Sequence, residues 1–130
     1  MNQGQKLEGV LTQAEQDAEL LAVLLFGSAA RQQETPTSDL DVCLVLLPQK
    51  YDNLALSRKR LEYMKHFDLD VHIFQQLPLY IRQRVVKEGR VLFCRDEELL
   101  YSLAFQTVQA FERFKPIYLE YLAEVARAGS

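Results

Sequence analysis

The sequence predicts an α/β (α+β) fold, a small mixed sheet of about four strands flanked by helices. Three observations carry this expectation. Four short runs of strand length, at 20–26, 39–47, 67–74 and 90–94, are separated by segments with helical patterning. Breakers stand at their ends: Gly27, Pro48, Pro78 and Gly89. A last helical segment, 96–127, is far longer than the others.

Residues 1–5 are expected to fray. A helix is expected over 6–19, where Leu7, Val10, Leu11 and Ala14 recur at helical spacing. LLAVLLF, 20–26, is a continuous apolar run, as in a strand buried on both faces. A polar connection follows, with room for a short helix over 28–33 before Pro36. DLDVCLVLL, 39–47, is the second strand. The helix expected at 51–66 would turn Tyr51, Leu54, Leu61 and Met64 inward and leave Arg58, Lys59 and Arg60 partly outside. FDLDVHIF, 67–74, alternates as a third strand. Pro78 and Gly89 bracket another helix, and RVLFC, 90–94, is the fourth strand. Over 96–127, Leu100, Leu103, Thr107, Phe111, Phe114, Tyr118, Tyr121 and Val125 form one stripe, with Pro116 expected to kink or split the helix.

One domain over 1–130 is expected, because no Pro/Gly/Ser-rich linker divides the chain and this length supports one core. A net charge of −3 argues against a dedicated nucleic-acid binder, which needs a basic field. No apolar run reaches the roughly 18 residues of a membrane helix, and the polar beginning does not read as a signal peptide. Cys43 and Cys94 form no CxxC pair. The expectation is two buried, reduced thiols in a cytoplasmic protein.

The second strand opens with Asp39 and Asp41. Alternation puts both on one face, roughly 6.5–7 Å apart. Bare burial would cost several kcal/mol each, and a divalent cation removes that cost. An isolated Asp-x-Asp is most often a solvated strand end, but two features stand beside this one. Gly27-Ser28 ends the previous strand, where glycine permits close backbone approach and serine with free N–H groups can hold phosphate. Asp68 and Asp70 bring another acidic strand, and both share a face. Carboxylates, cation and phosphate cradle are the parts of two-metal phosphoryl or nucleotidyl transfer.

Gly27-Ser28, ten residues, then Asp39-Leu40-Asp41 is the GS-x10-DxD signature of polymerase β-type nucleotidyltransferases. The string GSAAR…SDLDVCLVL resembles the minimal nucleotidyltransferase (MNT) family, and so does DVHIFQQLPLYIRQRVVKEGRVLFC. The resemblance covers residues 20–95 and implies a polymerase β-like fold. It implies that Gly27, Ser28 and Ser38 bind nucleotide. Asp39 and Asp41 match the family's catalytic metal ligands. Its third carboxylate falls on Asp70, which leads directly into the apolar strand residues; strand parity alone does not separate it from Asp68. Arg31 matches a frequent arginine that could contact phosphates, and it reads equally as a solvated surface residue. Gln32 and Gln33 stand where many members carry glycine.

By the same resemblance, the substrate is ATP, the cofactor is Mg²⁺ at a two-metal site, and AMP passes to a tyrosine hydroxyl of a cognate HEPN ribonuclease toxin, making this chain an antitoxin in a hetero-oligomer. Two alternatives stand beside it: a non-catalytic module that neutralises the HEPN partner by occlusion, and a small-molecule (antibiotic) nucleotidyltransferase. His72 and Cys43 are read as packing residues, Arg58-Lys59-Arg60 as a solvated face, and the long C-terminal helix as a candidate partner interface.

Overall fold

In the computed structural model, residues 2–27 and 41–129 are described. Helix α1 (Gln3–Gln16) leads into strand β1 (Leu20–Phe26), and strand β2 (Asp41–Leu46) follows. Then come helix α2 (Asn53–Phe67), strand β3 (Asp70–Ile73) with a 3₁₀ turn over Phe74–Gln76, helix α3 (Leu79–Glu88), strand β4 (Arg90–Cys94) and helix α4 (Glu97–Ala128). The strands lie in the order β3-β2-β1-β4. β1 runs antiparallel to both β2 and β4, while β2 and β3 are parallel. The expected mixed four-stranded sheet is therefore present.

The continuous apolar runs of β1 and β2 follow from their central places. Leu20–Leu25 and Val42–Leu46 are all buried, with core on each face of the sheet. On one face, Val23, Leu25, Val42 and Leu44 meet Val10 and Ala14 of α1 and Leu56 and Tyr63 of α2. On the other, Leu24, Cys43 and Val45 meet Val85 of α3 and Leu99, Leu100 and Leu103 of α4. β3 and β4 are edges. β3 ends after four residues, and the Gln75 side chain continues its pairing, accepting from Leu46 N at 3.2 Å and donating to Leu46 O at 2.9 Å.

Several expectations shift. α1 begins at Gln3, because a capping box between Asn2 and Gln5 satisfies donors at its start. It ends at Gln16, since Asp17 turns outward to bind Lys59 Nζ at 2.7 Å and Tyr63 OH at 3.1 Å. The α2 face is rotated from the one expected. Leu54 and Leu61 are exposed, and Leu56 and Tyr63 are buried. The basic run is split: Arg58 is exposed as expected, whereas Lys59 and Arg60 are half-buried and bonded to other elements. Burial works against the Lys59 charge, but the hydrogen bonds it donates to the Asp17 and Glu19 carboxylates outweigh it and hold the ammonium pKa above the ordinary lysine value. Arg60 Nε donates to Val71 O at 2.6 Å, serving a carbonyl of the edge strand.

α4 is one helix through Pro116, not two pieces. The proline removes the N–H that would bond Glu112, but this stretch is exposed, so water can serve the carbonyl. The short helix expected over 28–33 lies outside the described residues.

Arg95, just past β4, closes the layer. Its guanidinium donates to the carbonyls of Leu20 at 2.9 Å, Ala14 and Glu15 at 3.1 Å, and Asp17 at 3.2 Å. It thereby caps α1, whose last carbonyls have no helical donor. Replacing Arg95 by Ala is expected to lower unfolding stability by about 2 kcal/mol. Urea unfolding with an unchanged slope and an earlier midpoint checks this, and an unshifted midpoint contradicts it.

Candidate active site

The carboxylates converge because of register. In the parallel β2–β3 pair, Asp41 stands opposite Asp70. In the antiparallel β1–β2 pair, Asp41 stands opposite Phe26. The starts of β2 and β3 and the end of β1 therefore share one end of the sheet. Asp41 and Asp70 project on the α3 side, like Cys43 and Val45 behind them, while Val42 and Val71 fill the opposite core.

Gly27 completes this end. Its φ of +78° is a backbone conformation that other residues rarely take. A Cβ there would meet Asp41 Oδ2 at 2.7 Å. Glycine is thus required both by the turn and by the closeness of the carboxylate. On its other flank lies a shallow cleft lined by Phe26, Gly27, Ile81 and Val85, with Arg84 and Glu88 at the rim.

His72, read from the sequence as packing, belongs to this cluster. Its Nε2 lies 3.2 Å from Asp70 Oδ1 and 4.0 Å from Asp41 Oδ1. One ligand atom from each of Asp41, Asp70 and His72 falls within 4.8 Å of the others. The signal was there, since His72 follows Asp70 by two residues on one strand face. Two hard carboxylate oxygens suit Mg²⁺ or Mn²⁺, so the donor set fits a divalent cation.

Of the residues singled out in the sequence, Gly27, Asp41 and Asp70 come together. Ser28, Arg31, Ser38 and Asp39 lie outside the described residues. Asp68 is not part of the cluster. It caps α2 in the left-handed conformation at φ 51°, with its side chain 97% exposed and 3.5 Å from Lys6 Nζ. The strand expected from residue 67 therefore begins only at Asp70. Cys43 keeps its packing role, since burial pushes its thiol up to about 12 and so away from nucleophilic chemistry.

A left-handed glycine thus stands beside carboxylates on adjacent strands at one end of this mixed sheet. The chain belongs to the polymerase beta nucleotidyltransferase family, which it matches over residues 5–98. A protein of Methanocaldococcus jannaschii, provisionally named a protein adenylyltransferase, is 33% identical over 82 residues, covering 63% of this chain. The match spans 62% of that relative's length. The fold resembles a chain of a toxin–antitoxin crystal structure with AMP-PNP, with a TM-score of 0.71, 19% identity and coverage of 95% of this chain and 98% of that one. It also resembles a chain of a tri-AMPylated Shewanella oneidensis HEPN toxin in complex with an MNT antitoxin, with a TM-score of 0.69, 18% identity and coverage of 97% and 99%. Among the described residues, no helix is long and apolar enough to cross a membrane.

Gly27→Ala is expected to cost about 1–3 kcal/mol of stability and to weaken divalent-cation binding, because the new methyl displaces Asp41. Thermal unfolding and calorimetric titration with Mn²⁺ check both effects. Unchanged cation affinity would contradict the role given to this contact.

Proposed function

We propose that this chain is a Mg²⁺-dependent nucleotidyltransferase that transfers AMP from ATP to a tyrosine hydroxyl of a HEPN-type ribonuclease toxin, and so acts as its cytoplasmic antitoxin. The observation that carries this reading is the register of Asp41 against Asp70 beside a glycine that no other residue can replace without moving a carboxylate. The adenylyltransferase name of the M. jannaschii relative and the toxin–antitoxin context of the structural neighbours support the acceptor class.

Each residue has a part in this chemistry. The lack of a side chain at Gly27 would let backbone approach the triphosphate, with Ser28, Ser38 and Arg31 as further phosphate contacts. Asp39, Asp41 and Asp70 would hold Mg²⁺. When bound, the cation offsets phosphate charge and lowers the pKa of the attacking hydroxyl. Asp70, whose side chain is 45% exposed, would help take the hydroxyl proton. The tyrosine oxygen forms a bond to the α-phosphorus, and pyrophosphate leaves. The added AMP brings negative charge and bulk to the toxin's ribonuclease site.

A second reading, binding without transfer, draws on α4. Phe111 is buried, and the half-buried Tyr118 stacks on Tyr80 at 5.6 Å, so this part of the aromatic stripe already packs within the chain. Beyond it, Ile117, Tyr121, Leu122 and Val125 are exposed, an apolar face suited to a partner chain. The two readings are compatible, because an enzyme acting on a protein must also dock it.

Transfer of label from α-³²P-ATP to the product of a neighbouring HEPN gene separates them. Wild type is expected to label the toxin, and Asp41→Asn or Asp70→Asn to reduce labelling by at least about 100-fold. A stable complex with no label would leave occlusion as the function. Ile117→Ser with Tyr121→Ser is expected to weaken the complex by about 2 kcal/mol while helix content by circular dichroism is retained. Unchanged affinity would remove α4 from the interface.

A further inference from the structure

His72 has no assigned part in the chemistry above, yet its position is closely determined. Alternation along β3 puts it on the face of Asp70. An edge contact with Phe26, ring centroids 5.4 Å apart, supports the imidazole from the side. Phe26 is in turn the register partner of Asp41. The side chain is 26% exposed, and its Nε2 stands 3.2 Å from Asp70 Oδ1 and 4.0 Å from Asp41 Oδ1.

Packing alone would not require the nitrogen to face both carboxylates. Donors on one small divalent cation at about 2.1 Å lie about 3.0 Å apart when adjacent and about 4.2 Å apart when opposite. The two distances from Nε2 fall within that interval. Phe26 and the register thus hold an imidazole nitrogen where a further ligand would stand beside the carboxylates.

We propose that His72 Nε2 is a ligand of this chain to the divalent cation, and that it moves the site's preference from Mg²⁺ toward Mn²⁺. The proposal rests on the reading of Asp41 and Asp70 as cation ligands. Carboxylate oxygens accept either ion, whereas Mg²⁺ is a hard cation that favours oxygen. An imidazole nitrogen is softer and favours the first-row transition metals. Carboxylate oxygens with one nitrogen make a mixed donor set, and the nitrogen is the donor that discriminates.

The full chain loaded with Mn²⁺ alone tests this without any catalytic assay. Pulsed electron paramagnetic resonance reads directly whether a ¹⁴N nucleus is bound to the ion. Nitrogen coupling is expected in wild type and in His66→Gln, whose histidine is exposed on α2, and it should vanish in His72→Gln. Calorimetry should show Mn²⁺ binding at least about tenfold tighter than Mg²⁺, a preference that His72→Gln lowers by about tenfold. Asp41→Asn and Asp70→Asn should weaken both ions. Absence of nitrogen coupling from wild type, or its persistence in His72→Gln, overturns the assignment of His72 and leaves the carboxylates in place. Cation binding indifferent to Asp41→Asn and Asp70→Asn overturns the underlying reading instead. Should His72→Gln fail to fold, the wild-type and His66→Gln spectra still decide the matter.

Discussion

Two like charges, Asp41 and Asp70, stand opposite each other on neighbouring parallel strands, and the open end of the sheet is arranged around them. With carboxylate oxygens under 5 Å apart, their repulsion is about 1–3 kcal/mol at the dielectric of a partly exposed site. A polar uncharged residue at either position would make a quieter strand end. The arrangement persists because the strands behind it are fixed by the core, and such a standing cost is characteristic of a functional site.

That core fixes register as well as stability. Val42, Leu44 and Leu46 face the α1–α2 layer, while Cys43 and Val45 face α3 and α4. A slip of one residue would exchange these sets and carry Asp41 into the opposite face. Around the sheet, Arg95 ties β4 to the end of α1, and Asp17 joins α1 to Lys59 and Tyr63 of α2. Gln75 extends β2 where β3 has ended. None of these polar ties involves Asp41 or Asp70, yet they hold the strands whose register brings those carboxylates together.

Much of this was legible in the sequence. β1 and β4 fall within their expected bounds, because unbroken apolar runs ended by glycine or a charged turn leave little freedom. The choice of Asp70 as the carboxylate to join Asp41 came from the family resemblance, because strand parity does not separate it from Asp68. Elsewhere, patterning was not enough. The α2 stripe misled because Lys59 and Arg60 turn inward to partners on other elements, which periodicity does not show. Asp68 and Asp70 have equal parity, and only the left-handed cap at Asp68 separates them. His72 reads as packing until the neighbouring strand supplies Asp41. Phe111 and Tyr118, though on the stripe expected to meet a partner, are taken up by the fold itself.

The most direct measurement is the unfolding midpoint of the wild type and of Asp41→Asn/Asp70→Asn, with and without Mg²⁺. Without the cation, the double variant should be the more stable of the two, because the repulsion is gone. With Mg²⁺, the wild-type midpoint should rise with concentration, as binding to the folded state requires, and the variant should not respond. A wild type indifferent to Mg²⁺, together with a variant less stable than wild type in its absence, would contradict the view that these carboxylates are paired to hold a cation.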